Sequence, residues 1–227
     1  MMLARLVPTS FCIIVAVPTP AHCNAVAPLA MLSASILLNC LSQSVTLVLI
    51  NGNASAIACT SEFGIVAGGQ KLAALLLFIN DVHSLGLKTA QGLTFTESFY
   101  WDMNDATRAF SKRFSALANK NAMPSMTQAG NYAMVLHYLK AMEALGGNPH
   151  DGAKVVAKMK ELPTDDPLFG KGPLRADGRR IIPAYLFEVK KPDESKYPWD
   201  YYKQIATISA EDAAKPLEAS ECPLVKK

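Results

Sequence analysis

From residue 70 onward, short unbroken apolar runs alternate with stretches in which apolar residues recur every three or four positions, so strands and helices are expected in turn. The first run, residues 72–79, is continuous and ends at Asn80-Asp81, which reads as a strand buried on both faces. Residues 82–91 fit a short helix closed by Gly92, and residues 93–100, rich in Thr and aromatics, fit a second strand. A strand-helix-strand unit predicts parallel pairing through a right-handed crossover. Asn104 is placed to cap a helix reaching 117, with Phe110, Phe114 and Leu117 on one face. Thr127 is expected to cap the next helix, 128–145. It carries one stripe of Tyr132, Val135, Leu136, Leu139 and Met142 and a second of Met134, Tyr138, Ala141 and Leu145. A helix apolar on most sides should be largely buried. Gly146-Gly147 ends it, and Asp151 starts a helix bearing Val155, Val156, Met159 and Leu162. Residues 172–174, a turn at Ala176-Asp177-Gly178 and a strand over 181–189 predict a hairpin. A last strand over 201–208 precedes a polar tail that composition marks as mobile. The class is α/β.

Charge divides the chain at Glu62. All 19 acidic residues and 21 of the 22 basic ones lie at or after that position, and Arg5 is the one charge before it. Two regions follow, an uncharged head over 1–61 and a charged body over 62–227. The net charge of +3 is small, and Lys112-Arg113, Arg179-Arg180 and Lys190-Lys191 are isolated pairs mixed with acids. A binder of phosphate backbones gathers such residues on one stripe, so nucleic acid is not an expected partner.

The head admits three readings. It can be a signal peptide, with Arg5 as the positive region, an apolar core over 11–17 and a small-residue cleavage site at Ala25-Val26-Ala27. It can hold a membrane span over about 29–50, long enough for a bilayer and free of charge, although Asn39, Ser42, Gln43 and Ser44 interrupt it. It can also be a mis-started segment, since a mixture of Ala, Ser, Leu, Val, Pro and Cys without acids is what an out-of-frame start produces.

Candidate chemistry is sparse. Gly64-Ile-Val-Ala-Gly-Gly-Gln-Lys71 lacks the adjacent Gly-Lys and the following Ser or Thr of a phosphate loop. Four of the five cysteines lie in the head without metal or redox spacing, and the histidines (His22, His83, His137, His150) are scattered. His137 reads as a satisfied core histidine. Paired acids such as Glu97 and Asp102, or Asp165-Asp166, form no recognisable acid-base constellation. No catalytic residue, metal or cofactor is expected, and the chain is not read as an enzyme. What remains is binding at the carboxyl ends of parallel strands. One end presents Asn80, Asp81 and His83, where a carboxylate beside an amide could hold an ammonium; alternatively Asp81 or Ser84 caps the following helix. The other presents Phe99-Tyr100-Trp101-Asp102. There Tyr100 and Trp101 could flank an apolar ligand body, or they are ordinary core aromatics.

The body over 62–227 resembles the C-terminal part of bacterial ABC-transporter solute-binding proteins of the branched-chain amino acid (leucine-binding) type. The resemblance lies in Glu62-Phe-Gly-Ile65, Phe78-Ile-Asn-Asp-Val-His-Ser-Leu-Gly86, Phe99-Tyr-Trp-Asp102 and Asn104-Asp-Ala-Thr-Arg-Ala-Phe-Ser-Lys-Arg-Phe114. It continues through Met123-Pro-Ser-Met126, Gln128-Ala-Gly-Asn-Tyr132, Gly172-Pro-Leu-Arg-Ala-Asp-Gly178 and Lys191-Pro-Asp-Glu-Ser-Lys196. Pro198-Trp-Asp-Tyr-Tyr202 and Cys222-Pro-Leu-Val-Lys-Lys227 complete it.

The resemblance implies a two-lobed periplasmic-binding-protein type I fold of parallel sheet layers with flanking helices, the lobes joined by three crossovers. It also implies a periplasmic, monomeric protein that delivers a small molecule, such as an amino acid or amide, to an ABC permease in the inner membrane. Asp81 is the position it assigns to the ligand's ammonium, with Tyr100 a weaker transfer. Family members are roughly twice as long as this body, so the fold is expected to be incomplete, with most of one lobe missing and the importer component truncated. The alternative is a membrane-anchored sensing or interaction domain without a transport role. With one jaw of the clamp largely missing, isothermal titration of leucine, glutamate and short amides into the purified chain is expected to show weak or no binding. Micromolar affinity would contradict that expectation.

Overall fold

The structure is a computed structural model and describes residues 12–16, 46–50, 71–118, 121–147, 150–223 and 225. Its larger sheet contains β1 (Cys12–Ala16), β2 (Thr46–Ile50), β3 (Lys71–Ala74), β4 (Thr94–Glu97), β7 (Ala184–Val189) and β8 (Tyr202–Ile208), hydrogen-bonded in that order. A smaller antiparallel pair joins β5 (Thr164–Asp166) to β6 (Gly170–Gly172). The helices are α1 (Ile79–Leu85), α2 (Leu87–Ala90), α3 (Asp105–Leu117), α4 (Met126–Ala144) and α5 (Gly152–Glu161). The mixed sheet with flanking helices is the expected α/β arrangement. The chain divides into two compact units, 1–95 with 188–203 and 96–187 with 204–227, and passes between them three times.

In the first unit β1, β2 and β3 run parallel, with Cys12 opposite Thr46 and Val48 opposite Leu72. β3 pairs in parallel with β4 at Ala73 and Thr94, as the strand-helix-strand pattern predicts. The first strand is shorter than expected, however. Its ladder to β2 ends where Ile50 meets Ala74, and beyond it Leu75 and Leu76 are exposed. Phe78 is extended at φ −115°, and its N–H donates to Asp81 Oδ2 at 2.9 Å, so the helix begins at Ile79 and not at 82. The expected single helix is split because Gly86 takes φ 77°, a conformation that favours glycine. Leu72, Leu77, Ile79, Val82, Leu93, Phe95, Val189 and Tyr202 form the buried interior of this unit.

The signal-peptide reading and the membrane-span reading fall mostly outside the described residues. Within them, Cys12–Ala16 and Thr46–Ile50 are strands of one sheet. No helix among the described residues is long and apolar enough to cross a membrane. The glycine-rich stretch before Lys71 also lies outside the described residues.

In the second unit α3 starts at the predicted Asn104, whose Oδ1 accepts from Thr107 N–H at 3.0 Å while Thr107 Oγ1 accepts from Asn104 N–H at 3.0 Å. α4 is capped by Ser125 and not by Thr127. Ser125 Oγ accepts from Thr127 N–H at 3.2 Å and Gln128 Oε1 accepts from Ser125 N–H at 2.9 Å, a reciprocal Ser-x-x-Gln box that Thr127 lacks. Gly146 and Gly147, at φ 86° and 93°, end the helix, and Asp151 Oδ1 caps α5 through the N–H of Ala153. The expected hairpin around Asp177-Gly178 contracts to one bridge, Leu174 with Arg180, and β7 starts at Ala184 instead of 181. Pro173 and Pro183 carry no N–H, so the ladder cannot extend on either side. The core gathers Phe99, Phe110 and Ala129 with Trp101, Phe114, Met126, Tyr132, Leu168 and Phe169 around them.

One expectation is reversed. α4 is buried along Ala129, Ala133, His137 and Ala141 but exposes Met134, Val135, Tyr138 and Leu139, so it is not largely buried.

Glu188 bridges Lys203 at 2.7 Å and Lys71 at 2.9 Å. Burial works to raise its carboxyl pKa, but hydrogen bonds from Lys203 and then Lys71 outweigh that and hold it below the ordinary carboxylate value. A lowered folded-state pKa stabilises the fold above the unfolded value and loses that contribution as pH falls through the folded one. Glu188→Gln should therefore cost about 1 kcal/mol near pH 7. In urea melts the gap from wild type should close below about pH 4.

Candidate functional site

The structure places the five expected binding residues in two groups. Asn80, Asp81 and His83 lie in the first unit, on the first two turns of α1, because the strand stops early and the helix starts early. They are therefore helix residues and not the free end of a strand. Asp81 sits in the third helical position, where its carboxylate holds Phe78 N–H and favours the positive end of the helix. The capping reading of Asp81 thus describes its contact. Asn80 is half-buried and its carbonyl accepts from Ser84 Oγ at 2.9 Å.

His83 is exposed and belongs to an aromatic cluster. Its ring stacks on Trp199 with centroids 4.0 Å apart and planes 12° apart, and its Nδ1 lies 2.7 Å from the Tyr201 hydroxyl. Trp199 is buried and adopts φ 68°, an uncommon backbone for a large residue. The neighbouring Asp200 holds it there, being buried, paired with Lys190 and accepting from Lys196 N–H at 3.0 Å. Burial raises the Tyr201 phenol above its ordinary pKa, so it is a neutral hydrogen-bonding group at physiological pH. The aromatic stack thus brings a hydroxyl and an imidazole together on two buried or half-buried rings.

Tyr100 and Trp101 lie in the second unit. Tyr100 is buried with its ring 5.7 Å from Phe187 and 6.1 Å from Trp101, and its N–H faces Met103 Sδ at 3.3 Å. Trp101 packs on the Phe99, Phe110 and Ala129 cluster. These contacts are those of core aromatics. Asp102 is tied to Arg108 at 2.9 Å, and Glu97, at the end of β4, is a buried carboxylate that sequence spacing alone does not distinguish from a surface acid.

Two further sites need account. His137 is a core histidine as expected, donating from Nε2 to Met159 O at 2.7 Å and so fastening α4 to α5. Beside it an open depression of about 450 Å³ is lined by Lys140, Glu143, Asp165 and Lys171. Its named charges balance, two lysines against two acids, and Lys140 is spent on Asp165 O at 2.7 Å, so no one ligand charge is favoured. No group of His, Cys, Asp or Glu among the described residues could hold a metal ion.

Residues 35–196 match the family described as periplasmic binding protein. That match begins inside the uncharged head. A periplasmic binding protein from Burkholderia mallei is 43% identical, covers 86% of this chain and 51% of its own, and superimposes with a TM-score of 0.70. A branched-chain amino acid ABC transporter periplasmic ligand-binding protein from Burkholderia xenovorans is 38% identical over 86% of this chain and 52% of its own, with a TM-score of 0.72. A leucine-, isoleucine-, valine-, threonine- and alanine-binding protein from Brucella ovis, 16% identical over 81% of this chain and 48% of its own with a TM-score of 0.62, shares the fold. This chain spans about half the length of the structures it matches. No curated protein matches it.

Capping and charge at Asp81 can be separated. Asp81→Ala removes the acceptor for Phe78 N–H and should cost about 1 kcal/mol in thermal or urea melts, whereas Asp81→Asn keeps an acceptor oxygen and should cost less than half of that. Equal losses would show that the hydrogen bond does not hold the helix start.

Proposed function

We propose a transport role for this chain, which belongs to the periplasmic binding protein family: it is a solute-binding component of an ABC importer. Its ligands are amino acids or related small polar molecules, its place is the periplasm, and its partner is a permease in the inner membrane. The observation that carries this reading is 38% identity to a branched-chain amino acid ABC transporter periplasmic ligand-binding protein over 86% of the chain. The chemistry available in the first unit agrees with such a ligand. Asp81 offers a carboxylate for an ammonium, with Asn80 beside it as a neutral hydrogen-bonding group. His83 is the third group of that helix, held by Trp199 and Tyr201. In the second unit Tyr100 and Trp101 are the aromatic candidates, Tyr100 buried against Phe187 and Trp101 half-buried on the Phe99 cluster. Binding and release, without bond making, is what these groups offer.

Ligand-observed NMR detects affinities in the millimolar range and suits a chain half the length of its relatives. Saturation transfer is expected to leucine, glutamate and a short amide but not to sucrose. Asp81→Asn, which keeps the cap, should weaken transfer to the amine-bearing ligands roughly tenfold or more, the worth of one charge-assisted hydrogen bond. Transfer that does not discriminate among the compounds, or that survives unchanged in Asp81→Asn, would contradict the proposal.

A further inference from the structure

The contacts of His83 fix which of its two nitrogens carries the proton. Its ring lies on Trp199, and its Nδ1 sits 2.7 Å from the Tyr201 hydroxyl. Both supports are themselves anchored within the first unit. Tyr201 N–H donates to Trp199 O at 3.0 Å, Tyr201 O accepts from Lys190 N–H, and Asp200 between the two rings is buried and paired with Lys190. In a neutral imidazole one nitrogen donates and the other accepts, so the direction of the Tyr201 bond decides the role of Nε2.

That direction follows from the surroundings of the phenol. Burial raises the Tyr201 pKa, and a backbone hydrogen bond from Trp199 works in the opposite sense. A bond that favours the phenolate is donated to its oxygen, and the donor of a backbone is its N–H. Tyr201 Oη therefore accepts from Trp199 N–H, and its own proton is the one directed at His83 Nδ1. The separation of 2.7 Å also suits an O–H donor, whose bonds run shorter than those of N–H. Nε2 is left with the imidazole hydrogen. His83 is exposed, and among the described residues Nε2 has no hydrogen-bond partner. The ring turns Nε2 away from the tyrosine, and Asn80, one helical turn earlier on α1, shares its face of the helix.

We infer that Tyr201 is a positioning residue that fixes His83 as the Nε2–H tautomer, a dedicated hydrogen-bond donor for a carboxylate or carbonyl oxygen of the ligand. The inference rests on the transport reading and adds the polarity of one contact to it. Asp81 suits an ammonium, whereas His83 in this form suits an oxygen acceptor. A bare amine satisfies only the first of them.

Two measurements on the full 227-residue chain test this. Long-range proton–nitrogen spectra are recorded without ligand at mildly alkaline pH, where histidine is ordinarily neutral, and His83→Gln identifies the His83 signals. His83 should be predominantly Nε2–H. Tyr201→Phe keeps the ring and removes the hydroxyl, and should raise the Nδ1–H share roughly tenfold, the worth of one hydrogen bond. A predominant Nδ1–H form in the unmodified chain, or a spectrum that Tyr201→Phe leaves unchanged, overturns the inference. Saturation transfer then compares leucine with isoamylamine, the same skeleton without its carboxylate. His83→Ala should weaken transfer to leucine roughly tenfold and to the amine by about twofold at most. His83→Gln, whose amide N–H falls near the place of Nε2–H, should restore most of the leucine signal. Equal losses for both compounds, or no loss for leucine, overturn the inference. If leucine gives no transfer from the unmodified chain, the transport reading and this inference fall together. If Asp81→Asn weakens leucine while His83→Ala does not, this inference falls alone.

Discussion

The second unit depends on the small-residue seam of α4. Ala129, Ala133 and Ala141 bring the helix close to its neighbours, and within that seam His137 reaches Met159 O to fix α5 in rotation and height. A bulky residue at any of these alanines would force the helices apart, at a typical overpacking cost of about 1–3 kcal/mol. From the seam the rest of the unit follows. The start of α4 is pinned by the Ser125 and Gln128 box, its first turns complete the Phe99 and Phe110 cluster, and its end is broken by Gly146 and Gly147. The price of a helix organised in this way is a second apolar face, Met134, Val135, Tyr138 and Leu139, that stays exposed among the described residues.

The first unit is governed by register. β1, β2 and β3 pair in parallel, and the ladder runs only as far as Ala74, after which the backbone must leave the sheet. Polar groups near that exit are then used for structure. Asp81 holds the helix start, and Glu188 ties Lys71 of β3 to Lys203 of β8. His83 and Tyr201 settle around a buried Trp199 whose positive φ is stabilised by Asp200. Structural use does not remove chemical capacity. A carboxylate has lone pairs for more than one donor, so a cap can also be a ligand contact.

The limits of sequence reading here are local and physical. Asn104 and Asp151 announce their helices because short polar side chains precede clear helical periodicity, and both caps form as read. The end of β3 is hidden because residues 72–79 are uniformly apolar, and nothing in such a run tells a strand from the helix that follows it. Ser125 and Thr127 are both plausible caps, and only the reciprocal bond from Gln128 separates them. The turn at Asp177-Gly178 forms, with Gly178 at φ 82°, but the flanking prolines deny it a hairpin. At the candidate site, residue types were legible while their contacts were not. The positive φ of Trp199 and its stacking on His83 join positions 116 apart. The family resemblance was legible from short strings spread through the body, and the matched region extends it back to residue 35.

The uncovered face of α4 is the feature on which the account turns, and thiol accessibility measures it most directly. Single cysteines replace Val135 and Ala133 in the full chain, and maleimide labelling of each is followed by peptide mass spectrometry against Cys222 as the internal reference. The account predicts that the cysteine at position 135 reacts at the rate of an exposed thiol while that at 133 is protected at least tenfold, reflecting the difference between an exposed and a buried side of one helix. Equal protection of both positions in the chain alone would show that its own residues already cover the face, and would contradict the account.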